Sequence, residues 1–187
     1  MTETDSKNSV LVQLAPSALR ALRKSVVDVT GEHGAAHLQQ AGYSSGSELF
    51  AHYQQWICER TGIDNAEDLD ASYFLPAVSE FLTEIGWGSI TVSALGGAVL
   101  SIDSLRSVEA AQEQGAQAPV CHIATGVFAS FFTALGGDVF AVMQVQCEAM
   151  GDPRCRFLAG SPAILQKVFE AINSGEDYEA KLASGSL

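Results

Sequence analysis

The sequence predicts an α+β domain: an antiparallel sheet of about four strands packed against helices. Three observations carry that expectation. Apolar residues recur at helical spacing through the first half; the period then shortens to β-prone runs joined by turn dipeptides; and two further helical stretches interrupt and follow those runs.

Pro16 and Ser17 open the first helix, whose Leu19, Leu22, Val26 and Val27 fall on one face. "GEHGAAHLQQAG" reads as a second, short helix ending at Gly42. Ser45 and Glu48 have the spacing of a capping box, which starts a third helix through Leu49, Phe50, Tyr53, Trp56 and Ile57. A fourth begins near Leu75, because Pro76 is best tolerated in a first turn, and Gly86 stops it. "WGSITVSAL" and "AVLSID" are strands of a hairpin whose turn is Gly96-Gly97. "VCHIATGVFASFFTALGG" follows as an apolar helix, "DVFAVMQVQC" as a strand, "MGDP" as a turn and "RCRFLAG" as its antiparallel return. Ser161-Pro162 caps a last helix, "AILQKVFEAIN". One domain is expected over residues 14–174, flanked by loosely ordered polar ends at 1–13 and 175–187.

With 187 residues the chain suffices for one sizeable core. A formal net charge of -12 would repel nucleic acid and anionic membrane surfaces, so neither is expected as a partner. No apolar run approaches a membrane span, and "MTETDSKNSV" lacks the layout of a signal peptide, so a cytoplasmic location is expected. In that compartment Cys58, Cys121, Cys147 and Cys155 are either packed thiols or metal ligands.

Cys147 and Cys155 flank the Gly-Asp-Pro turn, and Cys121 opens the preceding helix, where the helix dipole favours a thiolate. Three thiolates and one further donor would complete a tetrahedral metal site. Buried cysteines also pack as small apolar residues, and spacing alone leaves both readings open.

The stretch "CHIATGVFASFFTALGGDVFAVMQVQCEAMGDPRCRF" resembles the signature of the 4-vinyl-reductase-like, or hydrocarbon-binding, domain family. The likeness is strong over residues 119–160 and weaker back to about residue 15. It implies the fold of the TRAPP tethering subunits and of the sensory domains of phenol-responsive activators. It also implies zinc held by three cysteines and by a glutamate three residues before the middle one. The cysteines fall on Cys121, Cys147 and Cys155, but the glutamate position holds Gln144. A neutral amide is a weaker donor than a carboxylate, so His122 or Glu148 is a candidate substitute. Strict strand alternation would put Gln144 and Cys147 on opposite faces, so a shared site requires an irregular strand end.

Phe74, Trp87, Val127, Phe128, Phe131, Phe132, Phe140 and Met143 are the candidate lining of an apolar ligand pocket. His33 and His37 could share a helical face, but no third ligand follows, and a solvated face explains them. Glu67, Asp68 and Asp70 suit a helix start rather than catalysis. No Walker A loop, GxGxxG or GxSxG motif occurs, so no nucleotide cofactor is expected.

The resulting expectation is a non-enzymatic homodimer that binds an apolar, aromatic or tetrapyrrole-like small molecule as a stand-alone carrier or sensor. Two alternatives stand beside it: an auxiliary protein or enzyme of (bacterio)chlorophyll vinyl reduction, and a dimeric scaffold that engages a protein partner. Against catalysis of vinyl reduction stands the lack of a recognisable nicotinamide, flavin or iron-sulfur site.

Overall fold

The computed structural model describes residues 11–12, 14–110 and 114–187. The expectation for residues 1–10 and 13 lies outside that set, as do Ala111–Glu113. Six helices surround one sheet: α1 (Pro16–Thr30), α2 (Gly34–Thr61), α3 (Ala71–Glu84), β1 (Ser89–Leu95), β2 (Val99–Leu105), α4 (His122–Gly136), β3 (Ala141–Gln146), β4 (Cys155–Gly160), α5 (Pro162–Asn173) and α6 (Tyr178–Ser184). The sheet is antiparallel throughout, in the order β1-β2-β4-β3, so the two sequence hairpins join edge to edge through β2 and β4. The α+β expectation holds.

Two corrections concern helix boundaries. Gly42 does not end a helix, and Ser45 caps none: α2 runs unbroken for 28 residues, and the Ser45 hydroxyl donates back to the Gly42 carbonyl within it. The glycines are there for packing. A Cβ at Gly42 would lie 2.2 Å from the Ile123 carbonyl oxygen, one at Gly46 2.4 Å from Ser130 Cβ, and one at Gly126 2.0 Å from the Gln39 carbonyl oxygen. The backbones of α2 and α4 therefore approach more closely than any side chain would permit. Secondly, α3 starts at Ala71, five residues before Pro76, because Asp70 caps it by accepting the Ser72 amide at 2.8 Å. Its missing bond near the N-terminus is tolerated inside a well-buried helix whose Ala77, Val78, Phe81 and Leu82 enter the core.

The sheet buries both faces. Ile90, Val92, Ile102, Phe157 and Ala159 face α2, α3 and α4, whereas Val99 and Leu158 face Leu165 and Val168 of α5 and Leu182 of α6. The tail after residue 174, expected to be loosely ordered, instead carries α6. Asp177 caps it, and Arg156 of β4 ties it down, pairing bidentately with Asp103 at 2.6 and 2.7 Å and with Glu179 of α6. Among the described residues, no helix is long and apolar enough to cross a membrane.

Candidate metal centre and aromatic core

Cys121 is the residue before α4, Cys147 follows β3, and Cys155 opens β4. All three are fully buried, and their sulfurs lie within 4.8 Å of one another, with Cys121 and Cys155 at 3.7 Å. These are three cysteines close enough to hold a metal ion. Packing them without an ion would leave three thiols to share protons. Cys147 is then held well below the ordinary thiol range by S–H bonds from Cys121 and Cys155, and Cys121 is pushed up chiefly because it donates to Cys147. Further donors point at the sulfurs: the Glu148 amide lies 3.4 Å from Cys155 Sγ, and the Ser107 hydroxyl 3.5 Å from Cys121 Sγ. Such donors favour negative charge on sulfur.

Gln144 does reach this neighbourhood. The β3–β4 register shifts between Gln144 and Gln146, the irregularity that placing Gln144 and Cys147 on one side requires. Its amide oxygen accepts the Cys121 backbone N–H at 3.1 Å, and its amide nitrogen donates to the Gln146 carbonyl at 3.0 Å. Gln144 thus positions Cys121. Neither His122 nor Glu148 joins the set whose donor atoms all lie within 4.8 Å. Glu148 receives the amides of Arg106 and Ser107 at 2.8 and 2.9 Å, fastening the end of β2 to the cysteine turn, and one of its oxygens lies 3.8 Å from Cys155 Sγ. His122 is half-buried and lines a cleft beside α1; burial, then the nearby Arg23, holds its pKa below the usual imidazole value.

Sequence reasoning missed Glu109. Its buried carboxylate accepts the amides of Ile123 and Ala124 at 3.1 and 2.6 Å and so caps α4 from a distant loop. Desolvation pushes its pKa up to about 7, against those two hydrogen bonds and the Arg23 charge. No local motif marks it, because a cap supplied from a separate loop has no fixed spacing.

The candidate pocket residues separate into two groups. Val127, Phe128, Phe131 and Phe132 are buried between α4 and its neighbours, with Phe74, Trp87 and Phe140 packed at the margin. Met143 lies across the sheet, packed against the α5 and α6 cluster, because odd-numbered positions of β3 face that way. The aromatic rings interlock: Phe128 meets Phe157 edge-on at 5.2 Å and Trp87 at 5.9 Å, and Phe131 meets Phe132 at 5.4 Å. A second ring group surrounds Tyr53, which contacts Phe81 at 5.4 Å, Phe131 at 5.8 Å, and Phe50 and Trp56 at 6.3 Å. Tyr53 is 1% exposed, and among the described residues its hydroxyl is the buried side-chain polar atom without a hydrogen-bond partner. Over this group Trp56 donates to Glu84 at 3.2 Å and stacks under Arg60, which pairs with Glu80 and Glu84. Cys58 is half-buried against the same core, and His33 and His37 are exposed or nearly so.

Residues 100–161 match the family model of the vinyl-4-reductase domain, a span that runs from β2 to the end of β4 and contains all three clustered cysteines. No curated protein matches the chain. Among solved structures, the phenol-responsive sensory domain of the transcription activator PoxR, determined with phenol, is 21% identical with a TM-score of 0.65, over 82% of this chain and 77% of that one. Subunit 3 of a trafficking protein particle complex from Naegleria fowleri, covalently bound to palmitic acid, is 10% identical with a TM-score of 0.61, over 78% and 91%. A vinyl-4-reductase family protein from Methanocaldococcus jannaschii is 16% identical with a TM-score of 0.49, over 82% and 84%. The first two likenesses establish a fold shared by sensory and tethering domains.

Proposed function

We propose that this chain, whose residues 100–161 match the vinyl-4-reductase domain, is a non-enzymatic module that encloses an apolar small molecule carrying one hydrogen-bonding group, and that acts as a carrier or sensor. The observation that carries this reading is the Tyr53 hydroxyl, buried without a partner inside a shell of Phe50, Trp56, Phe81 and Phe131. An unsatisfied buried hydroxyl costs about 1–3 kcal/mol. A ligand hydroxyl or carbonyl reaching Tyr53 would recover that cost, while the rings supply apolar contact. Entry would require Trp56 to swing from its Glu84 and Arg60 contacts, which lie at the half-exposed edge of the shell. The interlocked rings favour a body of one or two rings over a tetrapyrrole.

The cysteine cluster supports zinc as the resident metal. A tetrahedral site with Zn–S bonds of about 2.3 Å separates its sulfurs by ~3.8 Å, and Cys121 and Cys155 stand 3.7 Å apart. Cys121, Cys147 and Cys155 would hold the ion, which would supply a structural cross-link between the start of α4 and the β3–β4 turn. Gln144 and Glu148 would orient these ligands through the bonds described above, as outer partners commonly do. The fold shared with the PoxR sensory domain is consistent with a sensor whose ligand state is read by a partner protein.

Two measurements test the reading. Native mass spectrometry of protein purified without added metal should report bound zinc, a co-purifying apolar ligand and the oligomeric state together. Tyr53→Phe should stabilise the empty protein by about 1 kcal/mol in urea titrations, since it removes the unpaired hydroxyl. The same variant should weaken phenol binding, followed by tryptophan fluorescence, about tenfold. A destabilised Tyr53→Phe protein with unchanged phenol affinity would sink the proposal.

A further inference from the structure

A second cleft lies away from the aromatic core. It has a volume of about 730 Å³ and runs between α1 and the segment 116–122 that leads into α4. That volume lies within the usual range for small-molecule sites, about 300–1,000 Å³. Its chemistry is lopsided. Val27, Pro119 and Val120 contribute apolar walls, whereas Arg20, Arg23 and Lys24 bring three of the chain's ten Lys and Arg side chains to one place. In a protein with 22 acidic residues such a concentration is not expected from composition. The carboxylate among the lining residues, Asp28, is paired with Lys24 at 2.6 Å. Against that one acid the lining sets two arginines, a lysine and half-buried His122, so the cleft is basic.

Arg23 is built into the cleft rather than draped over it. Only 7% exposed, it donates from its guanidinium to the Val120 carbonyl at 3.3 Å. A guanidinium has five N–H groups in a planar fork, so it can hold a backbone carbonyl and a carboxylate at once. Its low exposure reduces screening by water and strengthens the pull on an anion. The carbonyl it holds belongs to the residue before Cys121, so cleft and cysteine cluster share one strip of backbone.

We propose that this cleft is a second ligand site, separate from the aromatic core, which takes an apolar monocarboxylate: the carboxylate on Arg20 and Arg23, the apolar body against Val27, Pro119 and Val120. The apolar walls argue against an inorganic or heavily hydroxylated anion, which would strand polar groups on them. This inference does not depend on the Tyr53 reading.

The test is titration of the ¹⁵N-labelled full chain with benzoate, benzyl alcohol and inorganic phosphate at fixed ionic strength, followed by amide chemical shifts. Benzoate is expected to move the amides of residues 20–28 and 116–122 saturably. Benzyl alcohol, which keeps the ring and loses the charge, and phosphate, which keeps the charge and loses the ring, should each move them at least tenfold less. Arg20→Gln, at a less buried position than Arg23, should weaken benzoate about tenfold while leaving the spectrum of the free protein dispersed. Equal shifts with benzyl alcohol or with phosphate would overturn the proposal, as would benzoate binding unaffected by Arg20→Gln or shifts centred instead on the residues around Tyr53. Failure of the Tyr53→Phe experiment leaves these outcomes unchanged, so the two sites can fail separately.

Discussion

Single residues at the start of α4 balance charge in a dry place. Glu109 trades hydration for two amide bonds, and the exchange is incomplete, which is why its pKa rises from 4.5 to about 7. A raised carboxyl binds its proton more tightly in the folded state, so its contribution is fully present below pH 4.5 and is lost as pH climbs through 7. The loss should amount to about 3 kcal/mol. His122 works in the opposite direction: its lowered pKa makes stability fall as pH drops below 6.5. The difference between wild type and Glu109→Gln isolates the carboxyl. Urea midpoints across the window from about pH 4.5 to pH 7 should show wild type losing stability relative to the variant as pH rises; parallel profiles would contradict the assignment. At the cysteine cluster, Cys155→Ser should abolish bound zinc and lower the melting temperature, as read by elemental analysis and scanning calorimetry. Unchanged metal content and melting would remove zinc from the reading. Cys121, Cys147 and Cys155 could be picked out from spacing and family likeness, and so could the anomaly at Gln144. Glu109 and the unpaired state of Tyr53 could not, because both depend on what lies across the fold rather than along the chain.

The α2–α4 contact shows how a local preference is overruled. Glycine lowers helix stability by about 1 kcal/mol relative to alanine, so Gly42 and Gly46 read naturally as a helix end. In the folded protein they lie in the middle of α2, and Gly126 of α4 faces them across a gap with no room for a methyl group. Gly126→Ala should therefore lower stability by at least about 2 kcal/mol despite its better propensity. Gly97→Ala is the control: its added Cβ meets nothing within 4 Å, and melting should barely change. Thermal unfolding of the two variants side by side decides the matter; a stabilised Gly126→Ala would mean that the helices part more easily than their geometry indicates. The hairpins, α4 and α5 were legible because their signals are local: turn glycines, alternation, and a serine cap at Ser161 that accepts the Ile164 amide. The capping box at Ser45 and the late start of α3 misled because the same residue types serve both ends and interiors.

Across the whole molecule, the sheet carries helices on both faces, and α6 closes the second of them. Leu182 packs with Val99, Leu158 and Leu165, and Arg156 links β4 to α6 through Glu179 while holding Asp103 of β2. Removing residues 175–187 should uncover that apolar cluster and lower stability by about 2–4 kcal/mol, a scale set by one exposed leucine and one broken ion-pair network. Equilibrium denaturation of the truncated chain checks this; an unaltered midpoint would show α6 to be an ornament. Composition and periodicity by themselves determined the α+β class, the two hairpins, the acidic character that disfavours nucleic acid, and the cysteines to watch, because each is written in neighbouring residues. Only the tertiary structure decided that α2 is one long helix, that Met143 belongs to the far side of the sheet, that Glu109 caps α4, and that three basic side chains gather beside Pro119. Those outcomes are set by which surfaces meet, and burial, close approach and the pairing of charge are properties of that meeting.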